Sequence, residues 1–151
     1  MKPTVLIDFD GVLHRYESGW KGPRTIPDGP VDGAIDFLLA CLSEGLEVAI
    51  HSSRSHQFGG RRAMKRWIAR VAAMDFLRES KSLDRWAQAG YPFGMDPLEV
   101  EADYAGRWLV RQIRWPKHKV PAIVQLDDRA VTFTGSFPDP AGLASFKPWN
   151  R

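Results

Sequence analysis

Short apolar runs alternate along this chain with longer stretches of helical periodicity. Residues 4–9 open it with Val5-Leu6-Ile7 and then Phe9, an apolar segment of strand length. Asp28-Gly29-Pro30 marks a helix start, with proline tolerated in the first turn. Ala34, Ile35, Leu38, Leu39 and Leu42 then share one helical face, and Gly45 stops the helix. Leu46 to Ile50 form a second strand, ending in His51-Ser52-Ser53-Arg54. Gly59-Gly60 breaks the chain before a helix with Met64, Trp67, Ile68, Val71 and Ala72 on one side and Arg61, Arg62, Lys65, Arg66 and Arg70 on the other. Arg111 to Trp115 read as a third strand, and Ala122 to Leu126 as a buried strand closed by Asp127-Asp128-Arg129.

Strand–helix–strand units of this kind imply parallel pairs with helices packed on the sheet. The expectation is a single α/β domain over 1–151: a Rossmann-like three-layer fold with a mostly parallel sheet and helices on both faces. Between Gly11 and Gly29 the glycines and prolines predict a small flap beside the end of the first strand, where His14 and Trp20 could touch a ligand or simply hold the flap down. Residues 75–110 carry short helices at Ser82–Ala89 and Pro97–Val110 around the turn at Gly90–Gly94. They read either as a helical lid or as one more crossover, with Trp86, Tyr91, Phe93 and Trp108 expected to pack. The tail, with Phe133, Phe137, Phe146 and Trp149, is expected to strap across the sheet.

Composition narrows the class. The 151 residues are 44% hydrophobic and 26% charged, the profile of an ordinary globular domain large enough for its own core. A net charge of +3 permits an anionic ligand without demanding nucleic acid. Cys41 is the only cysteine, so no intramolecular disulfide can form, and it falls in a helical apolar pattern. Asp8 and Asp10 interrupt any signal-peptide core, and no run reaches transmembrane length. A cytoplasmic protein with no membrane partner is expected.

The chemistry gathers where apolar strands end. Strand side chains repeat with period two, so Asp8 and Asp10 are expected to leave the first strand on the same side. Ser52 and Arg54 follow the second strand, and Asp127, Asp128 and Arg129 follow the last, with Lys117 and Lys119 in the loop that feeds it. In an open parallel sheet all these ends lie along one edge, where ligands bind. Two unit charges about 4 Å apart interact by roughly 4 kcal/mol at an effective dielectric near 20. Converging aspartates therefore need protons or cations among them, and a hard divalent ion such as Mg²⁺, with one lysine, answers that need.

This ordered set resembles the haloacid dehalogenase-like hydrolase superfamily in its phosphatase branch, whose first motif Asp8-Phe9-Asp10-Gly11-Val12-Leu13 fits closely. Ser52 matches the second motif, Lys119 the third by its spacing with Lys117 as the alternative, and Asp127-Asp128 the acidic fourth. The Asp-Asp-Arg ending is also similar to small phage-type hydrolases and to the phosphatase half of polynucleotide kinase–phosphatase. The resemblance implies a Mg²⁺-dependent phosphatase acting on phosphate monoesters. Asp8 would form an aspartyl-phosphate, and Asp10 would act as general acid and base. Asp8, Asp10 (by its backbone carbonyl), Asp127 and Asp128 would serve the metal, with Asp128 the direct ligand and Asp127 behind it. Ser52 would bind a phosphoryl oxygen and Lys119 would offset charge on Asp8.

Arg54 and Arg129 suit either a substrate phosphate or the acidic cluster. Without a full cap, and unless 75–110 forms a lid, the resemblance implies a site open to large substrates such as nucleic-acid ends or proteins. A nucleic-acid 3′-phosphate end and a small molecule such as a nucleotide or sugar phosphate are the competing substrates. Two other readings compete. A phosphoaspartate signalling receiver shares the residue types but not their order along the chain. A nucleic-acid-binding module would use the basic helix at 61–70, although such a charge run also suits a solvated helix face.

Overall fold

Val5, Leu6 and Ile7 are apolar on both sides of the chain, and a strand buried on both faces is what the middle of a parallel sheet requires. In the computed structural model, which describes residues 1–78 and 81–150, all three are buried in β1 (Thr4–Ile7). On its two sides run β2 (Glu47–Ile50) and β3 (Val124–Leu126), both parallel to it, in the order β2-β1-β3. Ile7 pairs with Ile50 on one side and Leu126 on the other. The three strands thus end level, and Asp8, His51 and Asp127 begin the loops of one rim.

Four helices follow the order of the chain: α1 (Ala34–Ser43), α2 (Gly60–Leu77), α3 (Lys81–Gln88) and α4 (Leu98–Gln112). Their buried residues join Val5, Ile7, Val48 and Ile50 in one cluster, while Leu6 and Ala49, which point the other way, are buried outside it. The helices also touch one another, α1 against α3 and α2, and α2 against α3 and α4. Helices on both faces are expected from the sequence; those described instead form one layer. The reason is topological. The chain steps from β1 to β2 and then to Arg114, which bridges to Ala49 on β2's far side. Right-handed crossovers taken in one direction put every intervening helix on the same face. The return to β3 crosses by a loop.

Two expected strands come out differently. Residues 111–115 supply a one-residue bridge, where the Arg114 N–H donates to Val48 O at 2.9 Å and Arg114 O accepts from Ile50 N–H at 3.0 Å. The helical spacing of Ala102, Ala105 and Leu109 carries α4 to Gln112, leaving little chain before Pro116. The second difference is β3, which is an edge strand rather than a buried one, with Ile123 at 68% and Val124 at 48% exposure. Apolar content alone does not distinguish a covered strand from an edge.

The segment at 75–110, of which residues 79 and 80 lie outside the described residues, packs into the main cluster rather than standing over the rim. Phe76, Trp86 and Tyr91 meet edge to face at 5.4–5.8 Å, with Trp108 5.5 Å from Tyr91. The tail, which includes α5 (Pro140–Ala144), ties to the flap rather than to the sheet: Trp149 Nε1 donates to Gly11 O at 2.7 Å and Asn150 Nδ2 to Arg15 O at 2.9 Å. Phe133, Phe137 and Phe146 stay exposed. Among the described residues, no helix is long and apolar enough to cross a membrane.

Gly106 lets α4 approach α2, because a Cβ there would run into the backbone at Ala69. Gly106→Ala is therefore expected to destabilise the protein by about 1–3 kcal/mol through overpacking, despite alanine's better helix propensity. Urea denaturation checks this.

Candidate functional site

Asp8 continues β1 by one residue: its N–H donates to Leu126 O at 2.9 Å, and its Oδ1 accepts the Phe9 N–H at 2.8 Å. Asp127 and Asp128 follow β3 on the adjacent strand. One carboxylate oxygen from each of Asp8, Asp127 and Asp128 lies within 4.8 Å of the others. Asp127 is braced by the Arg129 N–H at 2.8 Å and by Gln125 Nε2 at 3.1 Å. The Asp128 side chain is all but buried, lying against Gly11. Gly11 is needed there twice over, since its φ is +82° and a Cβ would strike the Asp128 carboxylate.

Burial above all pushes the Asp8 carboxyl up to about 8, and the charges of Asp127 and Asp128 push it further against the opposing Phe9 N–H. The nearest paired cation is Arg129, whose Nε stands 3.9 Å from Asp128 Oδ2 on a mostly exposed side chain. Three crowded carboxylates, one of which holds its proton to relieve repulsion, are a set of hard oxygen donors that fits a divalent ion such as Mg²⁺. Both members of the acidic pair stand in this group.

Asp10 belongs to a different arrangement. After Asp8 the chain curls, and Phe9 O accepts the N–H groups of Leu13 and His14, both at 3.0 Å. Asp10 Oδ2 accepts from Arg54 Nε at 2.8 Å, while Oδ1 accepts from Arg54 Nη2 at 3.1 Å and faces His14 Nδ1 at 2.8 Å. The Asp28 N–H donates to His14 Nε2 at 3.1 Å, which places the ring proton on Nδ1, toward Asp10. Burial would raise the Asp10 carboxyl, but the hydrogen bonds from His14 and Arg54 and the Arg54 charge outweigh it and hold the group below the usual range. Asp10 is thus ionised, and its carboxylate lies outside the metal-type cluster. Period two fails here because the strand stops at Ile7.

Arg54 is fully buried and committed. Besides Asp10, its Nη1 donates to Gly22 O at 2.9 Å and to Pro23 O and Thr25 O at 3.1 Å, fastening the flap. Trp20 covers the guanidinium at 4.7 Å. Of its two suggested roles, Arg54 takes the structural one. His14, at 0% exposure, orients Asp10 from within the Phe9, Tyr16 and Trp67 rings and cannot meet a ligand. Ser52 is buried at the end of β2, where its Oγ accepts the Arg54 N–H at 3.2 Å, leaving the hydroxyl proton to be given elsewhere.

The charge of Lys119 acts on His51, as does a hydrogen bond to the Lys117 backbone. Burial, then the neighbouring His56, His118 and Lys119 charges, depress the His51 imidazole. His51 went unsingled in the sequence, although its place directly after the second apolar run marks it as a rim residue. The flap carbonyls that hold Arg54 leave no such sign.

Two outcomes follow. Arg54→Ala strands Asp10 without its partner and should cost about 3–5 kcal/mol in urea denaturation, where a substrate-gripping arginine would leave stability nearly untouched. In the metal-free protein, the unfolded chain gives up the Asp8 proton near 3.8 while the folded chain keeps it to about 8, so stability should fall as pH rises through that window. Asp128→Asn should flatten that slope and stabilise the metal-free protein at pH 8 by roughly 1–3 kcal/mol.

Compared with known protein families, characterised proteins and solved structures, the chain finds no match.

Proposed function

We propose that this chain is a magnesium-dependent phosphatase that hydrolyses phosphate monoesters through an aspartyl-phosphate on Asp8, built on a reduced Rossmann-like core of the haloacid dehalogenase type. The observation that carries the reading is the meeting of Asp8 with Asp127 and Asp128 at the level ends of two neighbouring parallel strands. The cation paired with this cluster is Arg129, mostly exposed and 3.9 Å from Asp128, so a bound divalent ion would complete the charge balance. Mg²⁺ held by Asp8, Asp127 and Asp128 would supply the positive charge that lets Asp8 ionise and that offsets phosphoryl oxygens.

The residues then divide the work. An Asp8 oxygen attacks phosphorus, the ester P–O bond breaks and the alcohol leaves. Water next attacks phosphorus, Asp10 takes its proton, and inorganic phosphate departs with Asp8 restored. The proton left on Asp10 serves the next leaving oxygen. Ionised Asp10 between His14 and Arg54 matches the base half of that cycle. The Ser52 hydroxyl hydrogen-bonds a phosphoryl oxygen, and exposed Arg129 is free to reach a substrate phosphate.

Para-nitrophenyl phosphate and nucleoside monophosphates test the proposal. Release of phosphate should require Mg²⁺, stop with chelator, and fall at least about 10³-fold in kcat for Asp8→Asn. A stable phosphoaspartate without phosphate release would point to the receiver reading instead, and release that ignores Asp8→Asn would remove Asp8 from the mechanism.

A further inference from the structure

Beside the rim, the exposed side of α2 forms one wall of a cleft of about 1090 Å³. Arg24, Arg61, Arg62, Lys65, Arg66 and Lys117 line it, and no aspartate or glutamate does. Arg62, Arg66 and Arg70 follow one another at four-residue spacing, so they repel along one stripe of the helix. Among the described residues, the contacts these cations make are neutral: Arg61 Nη1 donates to Trp115 O at 3.2 Å, and Lys65 Nζ lies 5.9 Å from the Trp115 ring. An ordinary solvated helix face intersperses both signs of charge; this concave one carries a single sign.

The cleft is also joined to the rim. Ser55 lines it and accepts the Ser52 N–H at 2.9 Å. Arg24 and Thr25 stand in the flap segment whose carbonyls, from Pro23 and Thr25, grip Arg54, the partner of Asp10. Gly60 begins α2 hard against the Arg54 backbone, where a Cβ would not fit. Two aromatic side chains lie along this path. Phe58 is 89% exposed within the cleft, and Trp20, 43% exposed, sits over Arg54.

We propose that this cleft binds single-stranded nucleic acid and that the substrate of the neighbouring site is the phosphorylated end of such a strand. The second half rests on the phosphatase reading; the first does not. A one-signed groove follows a phosphodiester backbone, and exposed rings give unpaired bases a face to stack on. A duplex keeps its bases stacked internally and would leave Phe58 unmatched.

Fluorescence anisotropy of a labelled oligothymidylate, with chelator present so that no turnover occurs, tests the binding. Affinity should fall with salt at a log–log slope of about −3 to −5, the value for some five to seven phosphate contacts on a single strand. Arg62→Glu with Arg66→Glu, both on the exposed surface, should weaken binding at least about tenfold. Phe58→Ala should weaken it at least about fivefold while leaving inorganic polyphosphate binding unchanged. Duplex or polyphosphate competing as well as the single strand, or indifference to Phe58→Ala, would overturn the proposal. Hydrolysis of para-nitrophenyl phosphate without strand binding overturns the cleft alone. Strand binding without hydrolysis of any monoester keeps the groove and removes the phosphatase.

Discussion

The buried ion pair between Arg54 and Asp10 is the constraint on which the rim depends. A guanidinium and a carboxylate withdrawn from water survive only when nearly every donor and lone pair is met. Here they are met by two contacts between the partners, by His14, and by three carbonyls from Gly22, Pro23 and Thr25. That set joins the end of β1, the end of β2 and the flap in one unit. It also decides which way Asp10 faces. Both Asp10 oxygens are engaged by Arg54 and His14, and the carboxylates that meet within 4.8 Å are those of Asp8, Asp127 and Asp128.

Two aspartates two residues apart therefore have opposite electrostatics. Asp8 is crowded by like charge and by burial, and it keeps its proton; Asp10 is crowded by donors and loses it. Pairs of titratable groups driven apart by their surroundings are where acid–base assignments are found. The cluster around Asp8 is the unstable side of that contrast, since the cation paired with it, Arg129, is loosely held and mostly exposed. On the proposed reading the imbalance is functional: a fold that neutralised Asp8 from within would have nothing left to attract a metal.

Much of this was legible in the residues. The strands at 4–7 and 47–50, the helices, and the convergence of Asp8 with Asp127 and Asp128 follow from apolar periodicity and from parallel strands ending on one edge. What was hidden depended on partners distant in the chain. Whether Arg54 gripped a substrate or a neighbour turned on flap carbonyls, and backbone carbonyls have no sequence signature. The influence of Lys119 on His51 was hidden likewise, because spacing to a strand fixes position along the chain, not the side on which the loop passes. Pro116 and Pro121 mark the return to β3 as a loop, but the side of the sheet on which the helices then gather follows only once the strand order is known.

That single-sided packing has a consequence for the rim. With α1 to α4 joined in one cluster and 75–110 absorbed into it, none of those four helices stands apart as a lid. The flap that follows β1 is pinned at Arg54 on one side and at Trp149 on the other. A pinned flap cannot close over a small substrate to exclude water, as enzymes for small metabolites commonly do. Binding energy must then come from surface lying beside the reacting centre rather than around it. The charged face of α2 begins at Gly60, against the backbone of the very arginine that holds Asp10, so that extended surface is continuous with the rim.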